Sequence, residues 1–187
     1  MLTLARLEFS IRIIVFCSGV AAKAVDDNDM ANKLTKYDTL VYDSLSEIQQ
    51  MFRDRIMKGR PEGALFQLQD WGTLAEDMRK FLRVIRNLRQ NVVATGFASI
   101  EKDEQSGVHY VDPGFRGSIS EEVCHYFSVV GYCFKRRVLV DKESKEYGVE
   151  YEILVEGPTE VTSKPTAPLK GREKPDLADW INRIAQQ

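Results

Sequence analysis

Along the chain the spacing of apolar positions changes several times, and each change marks an element. Residues 10–17 form a nearly unbroken β-branched run around Ile11-Arg12-Ile13-Ile14-Val15-Phe16, the pattern of a strand buried on both faces. Residues 18–36 turn small, then acidic and polar, which predicts a loop and a short helix ending near Lys36. Thr39-Leu40-Val41-Tyr42 is a second short strand, closed by Asp43-Ser44. Ser44 or Ser46 can cap the helix that follows by accepting a backbone N–H, and Glu47 in its first turn suits the helix dipole. Leu45, Ile48, Met51, Phe52 and Ile56 give that helix an apolar stripe, which Gly59 to Gly63, with Pro61, brings to an end.

A longer helix is predicted over 71–90, with Leu74, Met78, Phe81, Leu82, Ile85 and Leu88 on one face. Arg79, Lys80, Arg83, Arg86 and Arg89 populate the other. Asn91-Val92-Val93-Ala94-Thr95 follows at once as a buried strand. Strand, helix, helix, strand with short connections is the order of an α/β sheet with parallel pairs. Beyond it, 101–107 reads as a polar loop and Val111-Asp112-Pro113-Gly114 as a turn. Residues 127–140 and 149–155 read as two long strands joined by a charged turn over 141–148. In the second, Val149, Tyr151, Ile153 and Val155 alternate with Glu150, Glu152 and Leu154 as a half-exposed strand should. A Pro/Thr/Lys-rich segment over 157–174 leads to Pro175 and Asp176, which open a last helix through Leu177, Trp180, Ile181 and Ile184. The expected fold class is therefore α/β, with a mainly parallel central sheet and an antiparallel C-terminal strand pair.

Composition changes this picture little. The 187 residues are 43% hydrophobic and 29% charged with a net charge of −2. That suffices for a core without metal or disulfide support, and gives no overall electrostatic case for nucleic acid. Cys17, Cys124 and Cys133 contain no CxxC, and His109 and His125 are the only histidines, so a structural zinc site is not on offer. The odd cysteine count suits a reducing compartment. No run reaches the ~20 apolar residues of a membrane span. Met1 to Arg6 is weakly basic, and Ala22-Lys23-Ala24 imitates a signal-peptidase site, so secretion is the alternative. Glu8 and Arg12 interrupt the apolar stretch between them, however, and the strand reading with a cytoplasmic protein is preferred.

The chemistry concentrates in Tyr37-Asp38-Thr39-Leu40-Val41-Tyr42-Asp43-Ser44. A carboxylate at the carboxyl end of a buried strand can hold the water shell of Mg²⁺ at the sheet edge where open α/β folds bind ligands. The same octapeptide equally describes a strand followed by a helix-capping Asp. A phosphate-binding loop needs glycines, a lysine and a hydroxyl. Cys17-Ser18-Gly19-Val20-Ala21-Ala22-Lys23-Ala24 offers Lys23 alone, with Cys17 and Ala22 at the glycine positions and Ala24 at the hydroxyl position; it is read as a coincidental echo. The Arg79, Arg83 and Arg86 face could follow the phosphates of single-stranded DNA, with Tyr110 and Phe115 as stacking aromatics. It could equally be the wet side of a sheet-packing helix, diluted by Glu76 and Asp77. Cys124 and His125 lack a third orienting residue and read as core packing.

Asp43-Ser44 after YDTLVY, Trp71-Gly72 at the second helix, and the strand NVVATG together resemble the RecA-like P-loop ATPases of bacteriophages and bacteria, the group tied to recombination and single-strand annealing. The likeness continues through Pro113-Gly114-Phe115-Arg116-Gly117, the Phe127–Tyr132 strand and Lys170-Gly171-Arg172, covering roughly residues 32–187 in order. It implies a RecA-like three-layer domain over 36–187, preceded by a divergent strand and linker over 1–35. By resemblance Asp43 is the Mg²⁺-ordering aspartate, with Ser44 beside it. Thr95 is the polar residue that senses the terminal phosphate of ATP. Lys170 and Arg172 are a basic pair meeting phosphate, across a subunit interface or within the chain; a solvated basic loop is the plain alternative. The family's N-terminal phosphate-loop strand and helix are missing from the likeness, as in a member that begins late. The implication is an ATP- and Mg²⁺-binding protein of DNA recombination or repair with weak or absent hydrolysis. Its partners would be further copies of itself, a full-length ATPase or single-stranded DNA. A non-catalytic interaction module is the competing expectation.

Overall fold

The computed structural model describes residues 12–17, 37–141 and 146–186. Among them, strands β1 (Arg12–Cys17), β2 (Thr39–Tyr42), β3 (Asn91–Lys102), β5 (Val129–Asp141), β6 (Glu146–Leu154) and β7 (Arg172–Glu173) lie in the sheet order β2-β3-β1-β5-β6-β7. β4 (His109–Pro113) pairs antiparallel with the far half of β3. The pairs β2·β3, β3·β1 and β1·β5 are parallel, and β5·β6 and β6·β7 are antiparallel. The expected α/β class, parallel at the centre and antiparallel towards the C-terminus, is what the structure has.

Helices cover both faces. α1 (Leu45–Met57), α2 (Leu68–Asn87) and the short α3 (Ile119–Glu122) lie on one side, and α4 (Leu177–Ala185) on the other. Successive side chains of a strand point to opposite faces. Ile14 accordingly joins Leu45, Met78, Leu82, Ile85 and Val130 in one core, while Ile13 joins Val129, Ile153, Val155, Leu169 and Trp180 in the other. This three-layer arrangement is the RecA-like one. β1, which the sequence reading set apart from the domain, runs between β3 and β5 at the middle of the sheet.

The sequence places most elements within a few residues, and the departures have causes. α2 begins at Leu68 rather than Trp71 because the Asp70 carboxylate accepts the Gln67 N–H at 2.8 Å and closes the first turn. Arg60 grips the same carboxylate with two bonds of 2.7 and 2.8 Å, which holds Asp70 below the usual carboxylate range. Trp71 and Gly72 are thus inside the helix. β3 continues to Lys102, through the stretch read as the start of a polar loop, and only Asp103 to Val108 turn. Asp103 shapes that turn by accepting from the Gln105 N–H and the Ser106 hydroxyl. Val111 to Pro113, read as a turn, are the end of β4, since proline is tolerated where a strand stops. The loop predicted over 18–36, and the Cys17–Ala24 echo beyond its first residue, lie outside the described residues. No helix among the described residues is long and apolar enough to cross a membrane.

Candidate functional site

The four parallel strands run in one direction, but β2 stops first, at Tyr42 level with Ala94, while β1 reaches Cys17 level with Phe97 and β3 and β5 continue beyond. β1 leaves towards β2 on one side of itself, whereas β3 leads on to β5 on the other side, so the strand order reverses between β1 and β3. Such a switch point opens a crevice outside the carboxyl ends of the strands, the usual ligand position in open α/β sheets. Asp43 follows the last residue of β2: Tyr42 pairs with Ala94, so Asp43 stands next to Thr95 within β3, and Thr95 pairs in turn with Val15 within β1.

The Thr95 hydroxyl donates to Oδ1 of Asp43. Asp43 is exposed. A single carboxylate oriented by a hydroxyl fits a hydrated Mg²⁺, which keeps most of its waters and takes one or two protein oxygens. It does not fit a metal caged by protein alone, and no cluster of three or more His, Cys, Asp or Glu suited to that exists among the described residues.

The neighbourhood is tied down by α1. Ser44 is buried and caps the helix, its Oγ accepting the Glu47 N–H at 3.3 Å. Ser46 Oγ accepts the Phe97 N–H at 3.0 Å, which pins α1 to β3 two residues past Thr95. Gln49, 6% exposed, donates to the Arg116 carbonyl and accepts the Arg116 N–H, both at 3.0 Å. Next to this clamp Gly114 donates to the Phe97 carbonyl at 2.7 Å, and a Cβ on Gly114 would stand 2.9 Å from that oxygen. A cavity of about 210 Å³ opens here, lined by Ser46, Glu47, Gln50, Arg53, Phe97 and Arg116 among others. Sequence reasoning did not single out Ser46 at this contact, Gln49 or Arg116 for the site. A signal existed: Gln49 follows Leu45 by one helical turn, a polar residue on the apolar stripe.

Lys170 and Arg172 sit at the other end of the sheet. Arg172 begins β7, five strand steps from β2 in the sheet order. At a strand spacing of ~4.8 Å that is ~24 Å from the Asp43 strand, and ~14 Å from β1. Within one chain the structure therefore does not bring Lys170 or Arg172 to Asp43. Arg172 lies 3.8 Å from Glu152 and over the Phe134 ring at 5.5 Å, and Lys170 is exposed.

The basic face of α2 is largely answered by acid. Arg79 holds Glu122 with bonds of 2.6 and 2.8 Å and reaches Ser118, tying α2 to α3. That grip raises the Arg79 pKa and lowers that of Glu122. Arg83 approaches Glu76 at 3.7 Å, and Lys80 approaches Asp77 at 4.0 Å. Arg83 and Arg86 line a cavity of about 220 Å³ with Glu122, His125 and Tyr126. Tyr110 is exposed as a stacking aromatic must be, but Phe115 is 8% exposed and belongs to the core, which removes it from that role. Cys124 packs against the same core as expected, its thiol pushed up to about 11 by burial, while His125 is exposed rather than packed.

A family model described as an AAA domain matches residues 6–166. No curated protein and no solved structure matches the chain.

Proposed function

The chain belongs to the AAA domain family, a P-loop-type group of nucleotide-binding proteins, and on that premise we propose that it binds Mg·ATP at the β1–β3 switch point with weak or no hydrolysis. The observation that carries this reading is the Asp43–Thr95 contact at the carboxyl end of β2. Asp43 holds Mg²⁺ through water, and the Thr95 hydroxyl fixes the carboxylate and registers the terminal phosphate. Bound Mg²⁺ would neutralise charge on the phosphate oxygens. Ser44 contributes by capping α1, which presents Asp43. Weak turnover is supported by the segment leaving β1, where Cys17, Ala22 and Ala24 stand in place of the glycines and hydroxyl that cradle phosphate and metal. Lys170 and Arg172, five strand steps from β2, would meet the phosphate held by a neighbouring copy rather than that of their own chain.

The setting we propose is DNA recombination or repair, in a bacteriophage or bacterial cytoplasm, as the resemblance to RecA-like recombination ATPases suggests. The missing glycines also favour a second reading, in which the chain keeps the ATPase scaffold as a non-catalytic partner of another protein. Calorimetry with Mg·ATP, using Asp43→Ala as the comparison, separates the two. Binding that Asp43→Ala abolishes supports the nucleotide site. No heat at millimolar nucleotide removes it and leaves the scaffold.

A further inference from the structure

Large apolar side chains on a protein surface are ordinary when scattered and informative when gathered. Here Leu139, Val140, Tyr147, Val149 and Tyr151 gather on the β5–β6 ribbon, with Tyr147, Val149 and Tyr151 exposed by 51%, 58% and 60%. The ribbon register sets Lys135 opposite Tyr151, Arg137 opposite Val149 and Leu139 opposite Tyr147, so these six residues share one face. β7 covers the outer edge of β6 only at Ile153 and Leu154. Among the described residues nothing else pairs with 146–152, an open strand edge whose backbone groups are a template for another strand.

We propose that two copies of this chain join through that edge, residues 146–152 of each pairing antiparallel about a twofold axis at Val149. The sequence is self-complementary in this register. Val149 faces Val149, and Tyr147 faces Tyr151 of the second copy, as an isologous contact demands. Across the resulting four strands the middle row reads Arg137, Val149, Val149, Arg137, and its neighbours read Lys135, Tyr151, Tyr147, Leu139. Apolar groups thus fill the centre and the cations sit outside, the arrangement of an interface core with a charged rim. On the opposite face Glu150 meets Gly148, so no carboxylate stands directly across from it. The register ends with residue 146 opposite residue 152, and Glu152 is already met by Arg136 at 2.8 Å and Arg172 at 3.8 Å. The span fits as well: beyond residue 152 the edge is taken by β7, and the pairing stops there. This pairing is independent of nucleotide binding.

Sedimentation of the full chain at micromolar and higher concentrations is expected to give the mass of two chains, and Val149→Lys, on an exposed side chain, the mass of one with unchanged circular dichroism. Cysteine pairs test the register itself. Opposed residues lie ~4.5–5.5 Å apart between Cα atoms, within disulfide range, so oxidised Val149→Cys gives a covalent dimer. Tyr147→Cys alone leaves its two thiols ~13 Å apart along the strand and gives none, whereas Tyr147→Cys with Tyr151→Cys restores the link. A monomeric wild type at every concentration overturns the proposal, including one that instead binds an oligonucleotide through Tyr147 and Tyr151. A dimer unaffected by Val149→Lys overturns it too, as does a Tyr147→Cys link as strong as that of Val149→Cys.

Discussion

Replacing Gln49 by leucine tests whether the Arg116 loop is held to the site by the side chain that structure assigns. Leucine keeps much of the volume at a position only 6% exposed, so cavity formation is a minor part of the effect. What is lost is a donor to the Arg116 carbonyl and an acceptor for the Arg116 N–H, each bonded at 3.0 Å. A buried backbone group left without a partner costs about 1–3 kcal/mol. Arg116 itself is exposed, so water reaches the freed groups in part and the low end applies to each. The sum is about 2 kcal/mol, which for a chain of this size lowers Tm by about 4–8 °C. Urea and thermal unfolding of Gln49→Leu measure it. Gln49→Glu is the control with a sign: near neutral pH its carboxylate still accepts the Arg116 N–H but faces the carbonyl without a proton to give. Below the carboxylate range the acid form can donate again, so its deficit relative to wild type shrinks as pH falls. A Gln49→Leu protein within about 0.5 kcal/mol of wild type, the size of an ordinary surface change, would refute the clamp.

Trp180→Ala removes the fully buried anchor of α4 and is expected to cost about 3–5 kcal/mol; a loss below about 1 kcal/mol in urea titration would mean α4 is not held through this core. The Arg79–Glu122 tie carries a pH sign, because the folded carboxyl is depressed from its ordinary 4.5 by the guanidinium. Its contribution is present above that value and disappears as pH falls through the lower folded value, so the stability gap between wild type and Glu122→Gln should close in acid; a gap constant from pH 7 downward contradicts the tie. Cys124, its thiol raised to about 11, should stay unmodified by iodoacetamide at pH 8 in the native state and react on unfolding; peptide mapping that finds it alkylated as fast as a free thiol would show the burial to be wrong.

The fold was legible wherever burial imposed a period. Ile13-Ile14, Leu40, and Val92 to Ala94 read as strands because parallel strands covered on both sides admit little but apolar residues. The α2 stripe from Leu74 to Ile85 read as a helix for the corresponding reason. The misread stretches are those where local signals and tertiary pairing disagree. Glu101 and Lys102 carry the polarity of a loop, yet they pair with Tyr110 and His109 in an exposed hairpin where no side chain needs to be apolar. Pro113-Gly114 carries the dipeptide of a turn, yet Pro113 ends a strand and Gly114 is needed against the Phe97 carbonyl.

The site divided along the same line. The position of Asp43 was legible because a polar residue directly after a buried run emerges at a strand end, whereas Thr95 lies within β3, which runs on to Lys102, and meets Asp43 through the parallel register. Lys170 and Arg172 follow no buried run of the parallel sheet. Their partner depends on sheet order, which periodicity does not encode, and β7 proves to lie beyond β6 at the opposite edge. Gln49 was hidden for a third reason. A glutamine in a helix reads as solvent-facing unless its phase is counted from Leu45, and its value comes from a loop far along the chain that it meets only after folding. Residues whose role is fixed by their own strand can thus be named from sequence, whereas residues that serve another segment's backbone become visible only once the sheet order is known.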